Sequence, residues 1–270
     1  MADGLEEIYW FKRMNDRLVV ARFKEELDWL VEVPEDIDIY VYNKGEDDLG
    51  EPVRNRCKAV EARKNFGREA ETYLHHMIGH RPENPERLTI FCQGDPFEHS
   101  PDFLKLLSKR EAWADVQALS YRWTSQRNIP PQELLSKETN QWIEECRVRR
   151  EMISLHSLNA LKFHDNGTVA QLAAYLGANA LENGTNIAEH FFRSVKLEVL
   201  AQEAARSNLG QFCYGAIFAV KNDLLGNLPA DALGVMQIKT RQHSVYAYIF
   251  ERLWLHVFGL PFLKIQDNES

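Results

Sequence analysis

Residues 17–43 read RLVVARFKEELDWLVEVPEDIDIYVYN, and the way this run divides decides the fold. RLVVARF (17–23) is short, apolar and β-branched, the composition of a buried strand. KEELDWLVEV (24–33) places Leu27, Leu30 and Val31 on one helical face, and Pro34 closes it. DIDIYVYN (36–43) is then a second strand. Working outward, KGEDDLGEPVRNR (44–56) is polar and Gly-containing and predicts a mobile surface loop. NFGREAETYLHHMIGH (65–80) repeats Phe66, Ala70, Tyr73, Leu74, Met77 and Ile78 at helical spacing, an amphipathic helix. RLTIFC (87–92) is a third strand, and SPDFLKLLSK (100–109) a helix with Ser100 as cap and Pro101 in first position. This β-α-β-α-β-α order predicts an α/β fold with a mostly parallel central sheet and helices on both faces.

The rest of the chain reads differently. From 139 to 206 the expectation is mainly helical, through ETNQWIEECRVRREMISLH, TVAQLAAYLGANALE and NIAEHFFRSVKLEVLAQEAA. The stripe Val169, Leu172, Ala173 and Leu176 is core-facing in pattern. QFCYGAIFAV (211–220) returns to strand composition, and SVYAYIFERLWLHVF (244–258) is a closing helix ended by Gly259 and Pro261. Two NGT triplets, at Asn166 and Asn183, read as Asn-Gly turns with Thr168 or Thr185 near a helix start.

Composition narrows the class. The chain has 270 residues, 27% of them charged, and a net charge of -8, which argues against a broad nucleic-acid-binding face. Four cysteines without a CxxC pair (Cys57, Cys92, Cys146, Cys213) point to buried thiols in a reducing compartment. The acidic start, MADGLEEIYW, has no secretory pattern, and no segment is apolar enough to span a bilayer, so a cytoplasmic location is expected.

In a parallel sheet, ligands sit outside the carboxyl ends of the strands. The residues there are Arg22 and Phe23; Asn43, Lys44 and Gly45; and Gly94, Asp95 and Pro96. Gly67 opens a helix whose free N–H groups suit an anion, and Arg68 adds a guanidinium. Arg68, Glu69, Thr72 and His76 fall opposite that helix's apolar stripe. His76 and His80 stand four apart, but no Glu follows His76 as in a zinc-protease helix, which sets zinc aside. In FCQGDPFEH (91–99), Asp95 can hold Mg²⁺ or Mn²⁺, with Glu98, His99, water or ligand phosphate completing the shell. The Asp-x-Asp at 36–38 opens a strand, on the wrong edge of the sheet.

LVVARFKEELDWL, VYNKG, NFGREAETYLHHMI, FCQGDPFEH, YGAIFAV and FERLWLHVFG together resemble a family of domains of unknown function. That family is distantly similar to GT-A-type glycosyltransferases, which carry a GRD-like segment at a helix start and an acidic motif after a central strand. Here Glu69 stands in place of the GRD aspartate, and QGDP replaces Asp-x-Asp. The resemblance implies a single α/β domain over 1–270, with 16–110 and 210–262 as its core and 111–209 as a helical addition. It implies a nucleotide-sugar site built from Arg22, Asn43, Lys44, Gly67, Arg68, Glu69, Gly94 and Asp95. A divalent metal would lie near Asp95 and His99, and Tyr214 with Gly215 would shape the acceptor side. Glu98 is the nearest candidate base and Asp223 a weaker one. Acyl or aminoacyl transfer on a related scaffold, and a non-catalytic interaction module that kept the fold, are the alternatives.

Overall fold

The computed structural model describes residues 15–122, 135–164 and 166–264, so the acidic amino-terminal stretch lies outside the described residues. The central sheet has the order β3-β2-β1-β4-β10-β5. Its strands are β1 (Asp16–Arg22), β2 (Ile37–Asn43), β3 (Ala59–Ala62), β4 (Leu88–Gln93), β10 (Phe218–Lys221) and β5 (Val116–Ala118). β1 pairs in parallel with both β2 and β4, and β3 continues the parallel set. The expected parallel core over 17–92 is therefore present. β10 alone runs the other way, antiparallel to β4 and to β5.

Burial on both faces explains why these strands read as continuous apolar runs. Leu18 and Val20 of β1 join Ile39, Val41, Ile90 and Cys92 in one core layer. Val19 and Ala21 join Tyr40, Tyr42, Phe91 and Phe218 in the other. The first layer is closed by Trp29, Leu30, Phe103 and Leu107. The second is closed by helices α2 (Arg68–Gly79), α8 (Ala230–Gln242) and α9 (Val245–Val257).

Several local expectations are corrected. Residues 24–33 give only a short 3-10 turn at Asp28–Glu32, with Val31 51% exposed. The Glu25 carboxylate accepts from the Phe23 and Lys24 N–H groups, so this segment turns before a helix starts. The 44–56 loop is anchored and holds a helical turn, α1 (Glu51–Arg56). Helix α3 spans only Phe103–Leu107 and is preceded by Asp102, while the Ser100 hydroxyl is drawn instead to the Leu119 carbonyl at 2.6 Å. Ala70, Tyr73, Leu74 and Met77 of α2 are buried as expected, but Ile78 is exposed, and so is Phe66, which precedes the helix. Thr72 and His76 are buried, because α2 is covered by the sheet on one side and α8 on another.

The largest correction falls in the middle. ETNQWIEECRVRREMIS is not helical: β6 (Asn140–Ile143) and β7 (Cys146–Arg149) form an antiparallel hairpin, and β8 (Glu151–Ser154) pairs with β9 (Leu209–Phe212). True helices follow at α4 (Asn166–Ala178), α5 (Ile187–Ser194) and α6 (Glu198–Ala205). Asn166 begins α4 rather than a turn before it, whereas Gly184 has the positive φ of 86° that the Asn-Gly turn required. Asn186, not Thr185, caps α5, accepting from the Glu189 N–H. Helix α7 (Asn222–Gly226) follows β10, and α9 closes at Gly259 with φ 95° as expected. No helix among the described residues is long and apolar enough to cross a membrane.

Candidate functional site

At the β1–β2 end of the carboxyl edge, the cations are engaged by the protein itself. Arg22 is buried and donates to the Glu25 and Glu46 carbonyls and to Asn43 Oδ1, and it pairs with Asp48 at 2.7 Å. Lys44 donates to the carbonyls of Phe66 and Arg68 and lies 3.4 Å from the buried Glu71 carboxylate. Burial pulls the Lys44 ammonium below its ordinary pKa, and Glu71 works in the opposite direction. Gly45 lets the loop close: a Cβ there would stand 1.6 Å from the Phe23 carbonyl. Asn43, Arg22 and Lys44 thus splice the loops after β1 and β2 to the start of α2.

At the switch point between β1 and β4, the crevice is acidic. Gly94 receives the Trp29 indole N–H on its carbonyl at 2.9 Å and packs against Glu25. A hollow of about 400 Å³ is lined by Glu25, Glu26, Asp28, Trp29, Asp95 and Phe97. Asp95 is exposed there, with Oδ1 accepting from the Phe97 N–H. His99 Nδ1 faces the Arg122 carbonyl, and the Arg122 guanidinium bonds the Glu98 carbonyl. Among the described residues no group of three His, Cys, Asp or Glu side chains converges on a metal-sized point. Asp95 and His99 would leave most of a divalent ion's shell to water and ligand phosphate, and no step below is routed through a metal.

The topology puts Arg68 and Asp95 on one edge of the sheet, since α2 starts beside the end of β2 and Asp95 follows the parallel β4. It puts Asp223 on the other. Because β10 is antiparallel, the chain leaves it at the amino edge, where Asp223 N–H bonds Pro85. A cavity of about 730 Å³ also opens at that amino edge, between Asp16, Arg110, Trp113 and Lys221. It is spanned by Arg110, paired with Asp16 at 2.8 Å and with Asp36, and it contains none of the expected site residues except the discounted Asp36.

The unusual chemistry lies at the β4–β10 end. Glu69 sits in the first turn of α2, after Gly67 and Arg68, both with positive φ. A Cβ on Gly67 would press on Thr240 of α8, so glycine is needed at this entry. The Arg68 side chain is exposed, and among the described residues nothing bonds it. Burial raises the Glu69 carboxyl to about 7, and the Glu251 carboxylate of α9 pushes in the same direction. Glu251 Oε1 accepts from the Gly215 N–H at 3.1 Å and lies 3.7 Å from the Arg252 guanidinium. Gly215, at φ 64°, is packed so closely by Gln93 and His99 that a Cβ would meet them at 2.2 and 2.6 Å. The turn Tyr214–Ala216 therefore joins the end of β4 to the middle of α9. Glu69, Gly215, Tyr214 and His99, all expected at the site, cluster in this region.

Sequence reasoning missed Glu251, yet it is the only carboxylate in VYAYIFERLWLHV, an otherwise apolar helix. It also missed Glu151 and Arg149, which read as one helix with their neighbours. Glu151 bonds the Ser136 N–H and hydroxyl and accepts from the Tyr214 hydroxyl. Burial and the Glu151 charge push the Tyr214 phenol well above its ordinary pKa.

No protein-family model, no curated protein and no solved structure matches the chain.

Proposed function

We propose that this chain is a transferase of GT-A-like glycosyltransferase type, taking a nucleotide-sugar or similarly activated small-molecule donor, with Glu69 as general base. The observation that carries the reading is the Glu69–Glu251 carboxyl pair at the β4–β10 end of the carboxyl edge, one member of which titrates near 7. A buried carboxyl facing a second carboxyl is a frequent arrangement at acid–base sites, and a base is most effective when its pKa lies near the working pH. The 3-2-1-4 order of the parallel strands supports a site at this edge.

In this reading the acceptor hydroxyl gives its proton to the Glu69 carboxylate as its oxygen bonds the donor's anomeric carbon. The bond from that carbon to the donor phosphate breaks, and its electron pair leaves with the phosphate oxygen. Arg68, exposed at the start of α2, is the side chain free to meet the departing charge. Glu251, fixed by Gly215 N–H and Arg252, positions the pair and keeps Glu69 basic.

The test is release of nucleoside diphosphate from a panel of nucleotide sugars, with and without Mg²⁺ or Mn²⁺. Turnover should rise with pH to a plateau above about 7, and Glu69→Gln should lower it by about 100-fold or more while the fold is kept. A Glu69→Gln variant with the parent's rate and pH profile sinks the assignment.

A further inference from the structure

We propose that Arg149 is the reading residue of a separate binding site for a small ligand bearing a carboxylate or phosphate group. The site borders the Tyr214 turn but does not depend on the transfer chemistry above. Arg149 ends β7 and is 2% exposed. Its guanidinium lies over the Tyr121 ring at 5.1 Å and over the Tyr214 ring at 5.7 Å. Among the described residues, Nε and Nη2 have no hydrogen-bond acceptor.

Those two atoms are significant as a pair. Nε–H and Nη2–H form the side-on edge of a guanidinium, two parallel donors whose spacing matches two oxygens of one carboxylate or phosphate. The carboxylate closest in the chain, Glu151, is already committed to Ser136 and Tyr214. Next to Arg149, the Ser120 carbonyl accepts the Arg149 N–H at 2.8 Å, and among the described residues the fully buried Ser120 hydroxyl also has no partner. Two residues joined by a backbone hydrogen bond thus each bury a polar side chain with an unmade bond among the described residues.

A buried guanidinium with unmade bonds destabilises a fold more than an apolar side chain of like size would. Stacking on two tyrosines offsets part of that cost. The remainder is explained if the fork meets an oxyanion. The stack continues outward to solvent: Arg147 covers Tyr121 at 4.5 Å and Trp142 at 5.3 Å, and Trp142 is 62% exposed. It leads from an exposed aromatic to a buried cation, and suits a ligand that carries its anion at one end.

The experiment is thermal unfolding of the parent, Arg149→Met and Arg149→Lys, each with inorganic phosphate and with acetate, at matched ionic strength. Without either probe, Arg149→Met should melt at or above the parent temperature, because it removes a buried charge with two donors unmet among the described residues. One of the probes should raise the parent's transition and leave Arg149→Met unmoved; the probe acting at lower concentration identifies the oxyanion. Arg149→Lys keeps the charge without the fork and should need about tenfold more of that probe. Glu69→Gln should respond like the parent, which separates this site from the catalytic proposal. A parent unmoved by both probes overturns the inference, and so does an equal shift in Arg149→Met.

Discussion

At the scale of single residues, the clearest constraints are at glycines and at one buried carboxylate. Gly45→Ala should destabilise by about 2–3 kcal/mol, since its methyl would overlap the Phe23 carbonyl and the Phe23 N–H is held by the Glu25 carboxylate. Gly234→Ala, inside α8 with open space around it, should instead stabilise by about 0.5–1 kcal/mol. Urea midpoints for the two variants check both signs. Glu71 is 1% exposed and faces Lys44, Arg63 and Arg241. Glu71→Gln should cost on the order of 3 kcal/mol in the same measurement, by leaving the Lys44 charge buried without its counterion. These residues also show what a sequence conceals. Arg22 and Lys44 end strands on the predicted edge, but a buried cation that fastens loops and a cation that grips phosphate have the same identity and position in a sequence. Only their partners separate the two.

At the scale of elements, hydrophobic period located β1, β2, β4, α2 and α9, each long enough to show its pattern and each packed as that pattern demands. It failed where elements were short. β6, β7 and β8 have four residues each, too few to show alternation, and their Glu and Arg content resembles a charged helix. That misreading hid Arg149 and Glu151. β10, also four residues, was found by composition, but nothing local records that it is inserted backwards between β4 and β5. Its anchor is Phe218, fully buried against Phe91, Trp254 and Phe258. Phe218→Ala should cost about 3–5 kcal/mol in chemical denaturation. Loss of less than 1 kcal/mol would show that β10 does not staple the sheet.

At the scale of the molecule, pH acts through groups that burial keeps neutral, the histidines by losing a proton and Glu69 by keeping one. Burial holds His76 down at about 2 and His256 at about 4, the latter fixed between the Gln211 N–H and the Leu260 carbonyl. Both bind protons in the unfolded chain from the ordinary value of 6.5 downward, but not in the folded one. Their stabilisation is complete above 6.5 and is lost as pH falls, each by about 1.4 kcal/mol per unit. Glu69 has the opposite sign: raised from 4.5 to about 7, it favours the fold as pH falls through that interval. It offsets one histidine. Glu69→Gln should therefore steepen the acid loss between pH 6.5 and 5 by about one proton, read from denaturation curves across that range. An unchanged slope would show that Glu69 titrates normally.

The backward strand has a consequence for how the chain is made. In the finished sheet β5 has only β10 as its neighbour, and β4 meets β10 on the side away from β1. When Ala118 leaves the ribosome, β4 has a bare hydrogen-bonding edge and β5 has nowhere to pair. The strand that fills the slot arrives about a hundred residues later, on the order of 5–20 s at ordinary synthesis rates. During that interval the nascent chain offers an apolar template to any passing strand. A chain stopped after Ala205 keeps that edge for good and should be recovered in inclusion bodies unless a holding chaperone is supplied. Slower synthesis between Ala118 and Phe218 should then lower the yield of folded chain.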